Sequence, residues 1–486
     1  HDSRPICGSR PSSTGTNPAH LAVLKTLDKK ECREFHKWLS SPFFNQRQDV
    51  LDLFQYLMAA NHLEEDKFLE KERIYRKLFP KESYDDAKLR QTIHFLHRQL
   101  EHFLAFKEIE NDEYAYPVAY LKSLRKRKVP SVFQKKFNAL KRSGLGGKAL
   151  DSNGLKHSFA LYDENSSLLV GISRTKDIGL QDSINAFDTL FIAEQLKHAC
   201  DAFSHQQVFK TQYKSKFLDQ VIQTVESDPA LLEYPAVAIY YYGYLIRTQA
   251  GDADEHYFAL KSTLQQHAQV FSETEQRDIY LMALNYCIQR MNRGAAPFVR
   301  EAFEVYRDAF ERQFFIENGI LSRRTYLNAI LIALRLKEFD WVQHAIESYT
   351  TYVEPGYGEA FSSFSQAKLA FELQDYDRAQ RLLVHFESTD ILITLMARTT
   401  LLKIYYEEDE YDALDSLLES TKVYLKRKDV LSYHREVFQN ILRYTGKLVR
   451  LNPYDKKKRG ALRTEVEQAT PLTERPWLLE QIDKMG

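Results

Sequence analysis

Glycine and proline are scarce in this chain, with 17 Gly and 14 Pro in 486 residues, against usual frequencies of about 7% and 5%. A shortage of both breakers argues against a many-turned β fold and for long helices. Cysteine is scarcer still. Cys7, Cys32, Cys200 and Cys287 are widely spaced and none forms C-x-x-C. A disulfide framework is therefore not expected, and a reducing compartment, the cytoplasm, fits better. Net charge is missing as well, because Lys+Arg and Asp+Glu both total 67. That excludes a chain basic throughout, but not local patches. No apolar run approaches the roughly 18 residues of a membrane span.

The signatures of chemistry are also lacking. His94, His97 and His102 lie close in sequence, but no Cys pair or H-E-x-x-H completes a zinc set. D-A-D-E at 252–255 has neither the Gly nor the terminal Glu of a calcium loop, and reads as a helix cap. S-G-L-G-G-K at 143–148 is no Walker A loop. Ala149 follows its Lys, Arg142 occupies the first Gly position, and no strand precedes it. There is no G-x-S-x-G elbow. Cys32 and Cys200 lie among apolar residues and read as buried, inert thiols. The expectation is a non-enzyme with no metal and no cofactor.

What is present is material for a core. Hydrophobic residues make up 44%, with 29 Tyr and 30 Phe. Residues 1–20 have no apolar h-region and are rich in Ser, Pro, Gly and Thr, so they are expected to be a disordered leader. Asp28 and Glu31 stand at capping-box spacing, with Leu27 and Cys32 at staple positions. Cys32, Phe35 and Leu39 continue one face, and Pro42 stops the helix at Ser41. In L-S-S-P-F-F-N-Q-R-Q-D-V (39–50), Asn45 is expected to cap a helix from Gln46, with Gln48 completing the box. Leu51, Phe54, Leu57 and Met58 would carry its apolar face. Phe43 and Phe44 either fold back under the two helices or form an exposed binding loop.

Residues 83–107 give the clearest helix, with Leu89, Ile93, Leu96, Leu100 and Phe103 on one stripe. Helices are also expected at 129–142, at 155–169 and at 182–203. The last has Phe187, Leu190, Phe191, Leu196, Cys200 and Phe203 as its apolar residues. RSGLGGK (142–148) reads as a flexible turn.

The second half repeats. LKEFDWVQHAIESY (336–349), LQDYDRAQRLLVHF (373–386) and EDEYDALDSLLEST (408–421) align without gaps, with anchors Phe339, Tyr376 and Tyr411. Each anchor is followed by Asp and a helical run, and preceded by another helix. Upstream, helix 235–249 turns at Gly251 into 253–267, and helix 276–291 turns at Gly294 into 297–313. The pattern resembles tetratricopeptide repeats, whose turn often reads D-Y-x-x-A. Asp375, Tyr376 and Ala379 match it, while Ala413 lies one residue nearer its Tyr. That resemblance implies an all-α fold, an α-solenoid of antiparallel helix pairs, over roughly 230–450. The N-terminal block is similar to a group of bacterial helical proteins with no assigned activity. FHKWLSSPFFN, RIYRKLFP (73–80), SYDDAKLR (83–90) and a late WLLEQI (477–482) carry that likeness. The expected organisation is a leader at 1–20, a helical block at 21–145, a repeat array at 146–450 and a capping tail at 451–486.

Two surfaces are candidates for binding. Ten Lys/Arg and no Asp/Glu lie between Leu121 and Lys148, among them Arg125, Lys126, Arg127, Lys128, Lys135 and Lys136, with Phe133 and Phe137 interleaved. A second basic stretch runs from Lys422 to Arg463 and is densest at Lys456, Lys457, Lys458 and Arg459. Cations with aromatics suit nucleic acid. The simpler explanation is an ordinary solvated face, or pairing with Glu108–Glu113 and Glu407–Asp415. By the repeat resemblance, the first helix of each pair lines a groove. Arg324 and Asn328 would grip a carboxylate or a peptide backbone, with Asn285 in the preceding pair and Tyr241 and Tyr244 extending the groove. The expected function is a protein–protein scaffold that binds a peptide or a partner domain. The alternative is a helical-repeat binder of nucleic acid.

Overall fold

A computed structural model describes residues 18–60, 62–148, 150–170, 177–209, 211–249, 253–428 and 432–485. Among these residues 77% are helical, in 23 α-helices and short 3-10 and π turns, and the strands are a single ribbon pairing Ile316–Glu317 with Ile320–Leu321. The fold is all-α, as the shortage of breakers implies. The leader as far as Asn17, together with Gly251 and Asp252, falls outside the described residues. None of the described helices is long and apolar enough to cross a membrane.

Two compact units divide the chain. One runs to Gly147 and takes in Asn153–Leu190; the other holds Lys148–Ser152 and everything from Phe191. The first unit starts with α1 (Pro18–Thr26), α2 (Lys29–Ser40), α3 (Gln48–Leu57), α4 (Lys71–Leu78) and α5 (Asp86–Asn111). Phe35, Leu39, Phe54, Ile74, Leu89 and Phe103 meet in its core. The expected capping box forms: Asp28 accepts from the Lys30 and Glu31 amides, and Glu31 accepts from Asp28 N at 2.9 Å. α6 (Ala115–Lys126), α7 (Pro130–Leu140) and α8 (Ser152–Val170) follow, around Leu121, Phe133, Leu145 and Leu161. The 142–148 turn depends on Gly144, whose φ of 116° is one that L side chains rarely adopt.

The two phenylalanines at 43–44 part company. Phe44 stacks on Trp38, with ring centroids 3.6 Å apart and planes at 12°, while Phe43 is 87% exposed. Gln99 fixes this arrangement, accepting from Trp38 Nε1 and donating to the Phe44 carbonyl, both at 2.9 Å. Asn45 does not cap a helix from Gln46. Its amide donates to the Leu39 and Arg47 carbonyls and its oxygen accepts from Arg47 N, so α3 starts only at Gln48. Asp49 is polar for a reason: it pairs with Arg47 at 2.6 Å and accepts from Thr92 Oγ1 at 2.7 Å. The buried face of α3 is accordingly Val50, Leu53, Phe54 and Leu57 rather than one led by Leu51.

The division between units falls within α9 (Leu180–Val208). Its buried residues include Ile192, Ala193, Leu196 and Cys200; Phe187 is 49% exposed and rests against Phe159 of α8 at 5.2 Å. After α10 (Leu218–Ser227) the second unit continues in pairs: α11 (Pro235–Thr248) with α12 (Asp254–His267), and α13 (Glu273–Asn292) with α14 (Pro297–Glu311). Next come α15 (Arg323–Arg335) with α16 (Phe339–Tyr349), α17 (Gly358–Glu372) with α18 (Tyr376–Leu383), and α19 (Ile391–Glu407) with α20 (Tyr411–Arg427). First helices also pack on one another, α11 on α13, α15 on α17 and α17 on α19. This neighbour-on-neighbour packing is compatible with a helical-repeat fold. α21 (Ser432–Val449), α22 (Lys456–Gln468) and α23 (Arg475–Lys484) complete the unit around Leu414, Leu442, Leu462, Trp477 and Leu478.

The three sequence repeats share one turn. Phe339, Tyr376 and Tyr411 are each the first residue of a second helix. Two residues earlier, Lys337, Gln374 and Asp409 take φ of 61°, 62° and 58°. The next amide in each case reaches back five residues, from Glu338 to Ala333 O, from Asp375 to Ala370 O and from Glu410 to Tyr405 O, at 2.8–3.0 Å. This is a Schellman closure, which satisfies carbonyls the helix end would leave bare. Gly294 closes α13 by the same bond, from Ala295 N to Arg290 O at 3.0 Å.

Candidate functional site

Shared turns give the first helices a common register. Counting back from each left-handed residue, Arg324, Asn328 and Leu331 on α15 correspond to Phe361, Ser365 and Lys368 on α17 and to Met396, Thr400 and Lys403 on α19. On α13 the same places are Leu281, Asn285 and Ile288. Spacings of four and three put each set on one helical face. Of the groove residues, Asn285 and Asn328 hold matching places and Arg324 lies one turn before Asn328, where α13 has Leu281; all three are exposed. Tyr241 is not a groove residue: it is 7% exposed and packs inside. Tyr244 instead lines a separate hollow of about 670 Å³ with Tyr213, His198 and His205.

Further along, this face is occupied. Lys403 Nζ donates to Glu474 at 2.8 Å, at the start of α23. Glu407, one turn on, accepts from Trp477 Nε1 at 2.8 Å and Gln481 Nε2 at 2.6 Å. Lys403 also sits 4.5 Å from the Phe371 ring centroid and 5.7 Å from that of Trp477. Burial alone would raise the Glu474 carboxyl, but Lys368 and Lys403 outweigh it and hold the group below its ordinary value. Burial pushes Lys368 down. Neither Lys368 nor Lys403 nor Glu474 stood out in the sequence. The available signal was a lysine recurring eight residues before Tyr376 and again before Tyr411.

The basic stretches fare differently. Arg125 is not free for a ligand, because it forms a bidentate pair with Glu164 of α8. Phe133 and Phe137, 0% and 5% exposed, are core residues and offer no stacking surface. Lys126, Arg127, Lys128 and Lys135 are exposed, Lys136 partly so, and α6 adds the exposed aromatics Tyr116 and Tyr120. In the second stretch, Lys456 and Lys457 are exposed, Lys458 pairs with Asp455 at 3.3 Å, and Arg459 donates to the Met485 carbonyl.

Another gathering of cations lies elsewhere in that stretch. α20, α21 and α22 enclose a cleft of about 790 Å³ rimmed by Lys422, Lys426, Arg443, Lys447, Arg450 and Lys458. Its carboxylates are Glu419 and Glu465, which meet Lys422 and Lys447 respectively. The lining includes Leu418, Leu425, Leu442, Leu451 and Leu462. The sequence does carry this signal. Lys422 and Lys426 are one turn apart, and Arg443, Lys447 and Arg450 follow at four and three.

Thiol chemistry is suppressed. Burial pushes Cys200 and Cys287 up to about 12, which keeps both protonated and unreactive. Among the described residues no group of three or more His, Cys, Asp or Glu is placed to hold a metal. No family model, curated protein or solved structure matches the chain.

Proposed function

We propose that this chain is a non-catalytic protein–protein interaction scaffold, a tetratricopeptide-like solenoid whose first-helix face receives a helical segment of a partner. One observation carries the reading: α19 holds the chain's own α23 on this face through Lys403 and Glu407. Upstream on this face, Asn285, Arg324 and Asn328 are exposed, as is Leu281, beside partly exposed Ile288 and Leu331. Polar groups around apolar contacts suit a docked amphipathic helix. Cytoplasmic placement rests on the free thiols Cys32, Cys200 and Cys287, and a bacterial source on the likeness of the N-terminal block alone. A photo-crosslinking residue at position 328 should trap a partner protein, and one at exposed Gln343 on α16 should not; equal trapping at both would sink the reading.

A second reading, binding of nucleic acid, is favoured by Tyr116 and Tyr120 beside the exposed cations of α6. Salt separates the two. Neutralising about 6–10 phosphates makes affinity fall by roughly 10³–10⁵ between 50 and 200 mM salt. Apolar peptide docking changes far less over that range.

A further inference from the structure

The cation-rimmed cleft between α20, α21 and α22 differs from the first-helix face in both position and chemistry. Six cations face Glu419 and Glu465 there, and Lys458 also meets Asp455, so the rim keeps an excess of positive charge. Lys426, Arg443 and Arg450 have no carboxylate partner within ion-pairing distance among the described residues. Between the charges the accessible apolar lining is Val423, Leu451 and Ala461, beside Gln439 and Asn452 and with no aromatic ring; Leu418, Leu425, Leu442 and Leu462 lie deeper, in the core. Gly446 of α21 stands in the wall, and a Cβ built there would meet nothing within 4 Å.

We propose that this cleft is a docking site for an acidic peptide segment that carries aliphatic side chains. Val423, Leu451 and Ala461 would take the aliphatic groups, and Lys426, Arg443 and Arg450 the carboxylates. The lining decides between this and the other polyanion, a nucleic acid strand. Single strands are held by stacking bases on aromatic faces, and none lines this cleft. Its volume is also that of a bounded pocket rather than a track along a backbone. Rim charges of this kind act mainly on partner choice and association rate, while the apolar floor supplies burial. The proposal does not depend on the first-helix reading and survives if that face binds nothing.

The test is fluorescence anisotropy of the full chain with a labelled peptide alternating Glu and Leu. Two controls are the same peptide with Gln for every Glu and a labelled oligothymidylate. Saturable binding of the acidic peptide is expected, weakened at least about tenfold by Lys426→Glu with Arg450→Glu. Gly446→Phe should weaken it equally by filling the cleft while leaving every charge in place. Arg324→Ala should leave it unchanged, which separates this site from the first-helix face. Equal binding of the Gln peptide, insensitivity to Gly446→Phe, or tighter binding of the oligothymidylate would each overturn the proposal.

Discussion

Lys403 and Glu474, 71 residues apart in sequence, form an ion pair at 2.8 Å that joins α19 to the start of α23. The Lys403 side chain is 7% exposed and that of Glu474 is 30% exposed. Lys368 lies at the matching place on α17 and feels the same carboxylate. One acidic residue therefore serves two buried lysines, helped by Glu372, 3.8 Å from Lys368.

Removing that acid should be costly. Breaking one side of a buried pair costs about 3–5 kcal/mol, and less where the partner keeps some water. Glu474→Gln is expected to destabilise the second unit by about 2 kcal/mol. It should also red-shift the emission of Trp477, which is 7% exposed and packs against Tyr406. Thermal melts and fluorescence check both outcomes, and an unchanged melt would remove the pair from the account.

Lys368→Met should act in the opposite direction. Burial holds this lysine below its ordinary value of 10.5 despite the pull of Glu474. The folded state therefore binds fewer protons than the unfolded one as pH rises through the folded pKa towards 10.5, and stability climbs over that window. Replacing the lysine removes the cost and leaves Lys403 with Glu474. We expect a gain of about 1 kcal/mol near neutral pH and a flatter profile above it. Urea melts across the neutral and alkaline range measure both.

Phe44 and Phe43 should respond differently to truncation. Phe44→Ala removes a stacked ring from Trp38 and should cost about 1–2 kcal/mol. Phe43→Ala, at an 87% exposed site, should stay within about 0.5 kcal/mol. A large effect at position 43 would contradict the geometry.

Two glycine exchanges should stabilise, in opposite senses. Gln374 has φ 62° without the freedom of glycine, so Gln374→Gly is expected to gain about 0.5–1 kcal/mol. Gly446 sits inside α21 with open space where a Cβ would go, so Gly446→Ala should gain a similar amount. Chemical denaturation of each variant supplies the number.

Local rules made much of the fold legible. The capping box at Asp28, the stop at Ser41 and the stripe of α5 are properties of neighbouring residues, and a sequence displays them directly. The repeat at Phe339, Tyr376 and Tyr411 was visible because identical turns impose identical spacing. Long-range competition was not visible. Asn45 looked like a cap, but its amide is taken by the Leu39 and Arg47 carbonyls. Phe133 and Phe137 looked like stacking surfaces among cations, but their spacing of four turns both into the core. The basic run at 456–459 drew attention by density, although a cleft is built by convergence. Lys426 lies on α20 and Arg450 just after the end of α21, and the two line one cleft only in the fold.

The central claim, a protein scaffold working through its first-helix face, is tested most directly by affinity capture from the source cells. The tagged chain and its Asn285→Glu, Asn328→Glu variant are compared, each with and without nuclease. The account predicts a stoichiometric protein partner that survives nuclease and is lost from the variant. A partner held equally by the variant, or released by nuclease, would contradict it.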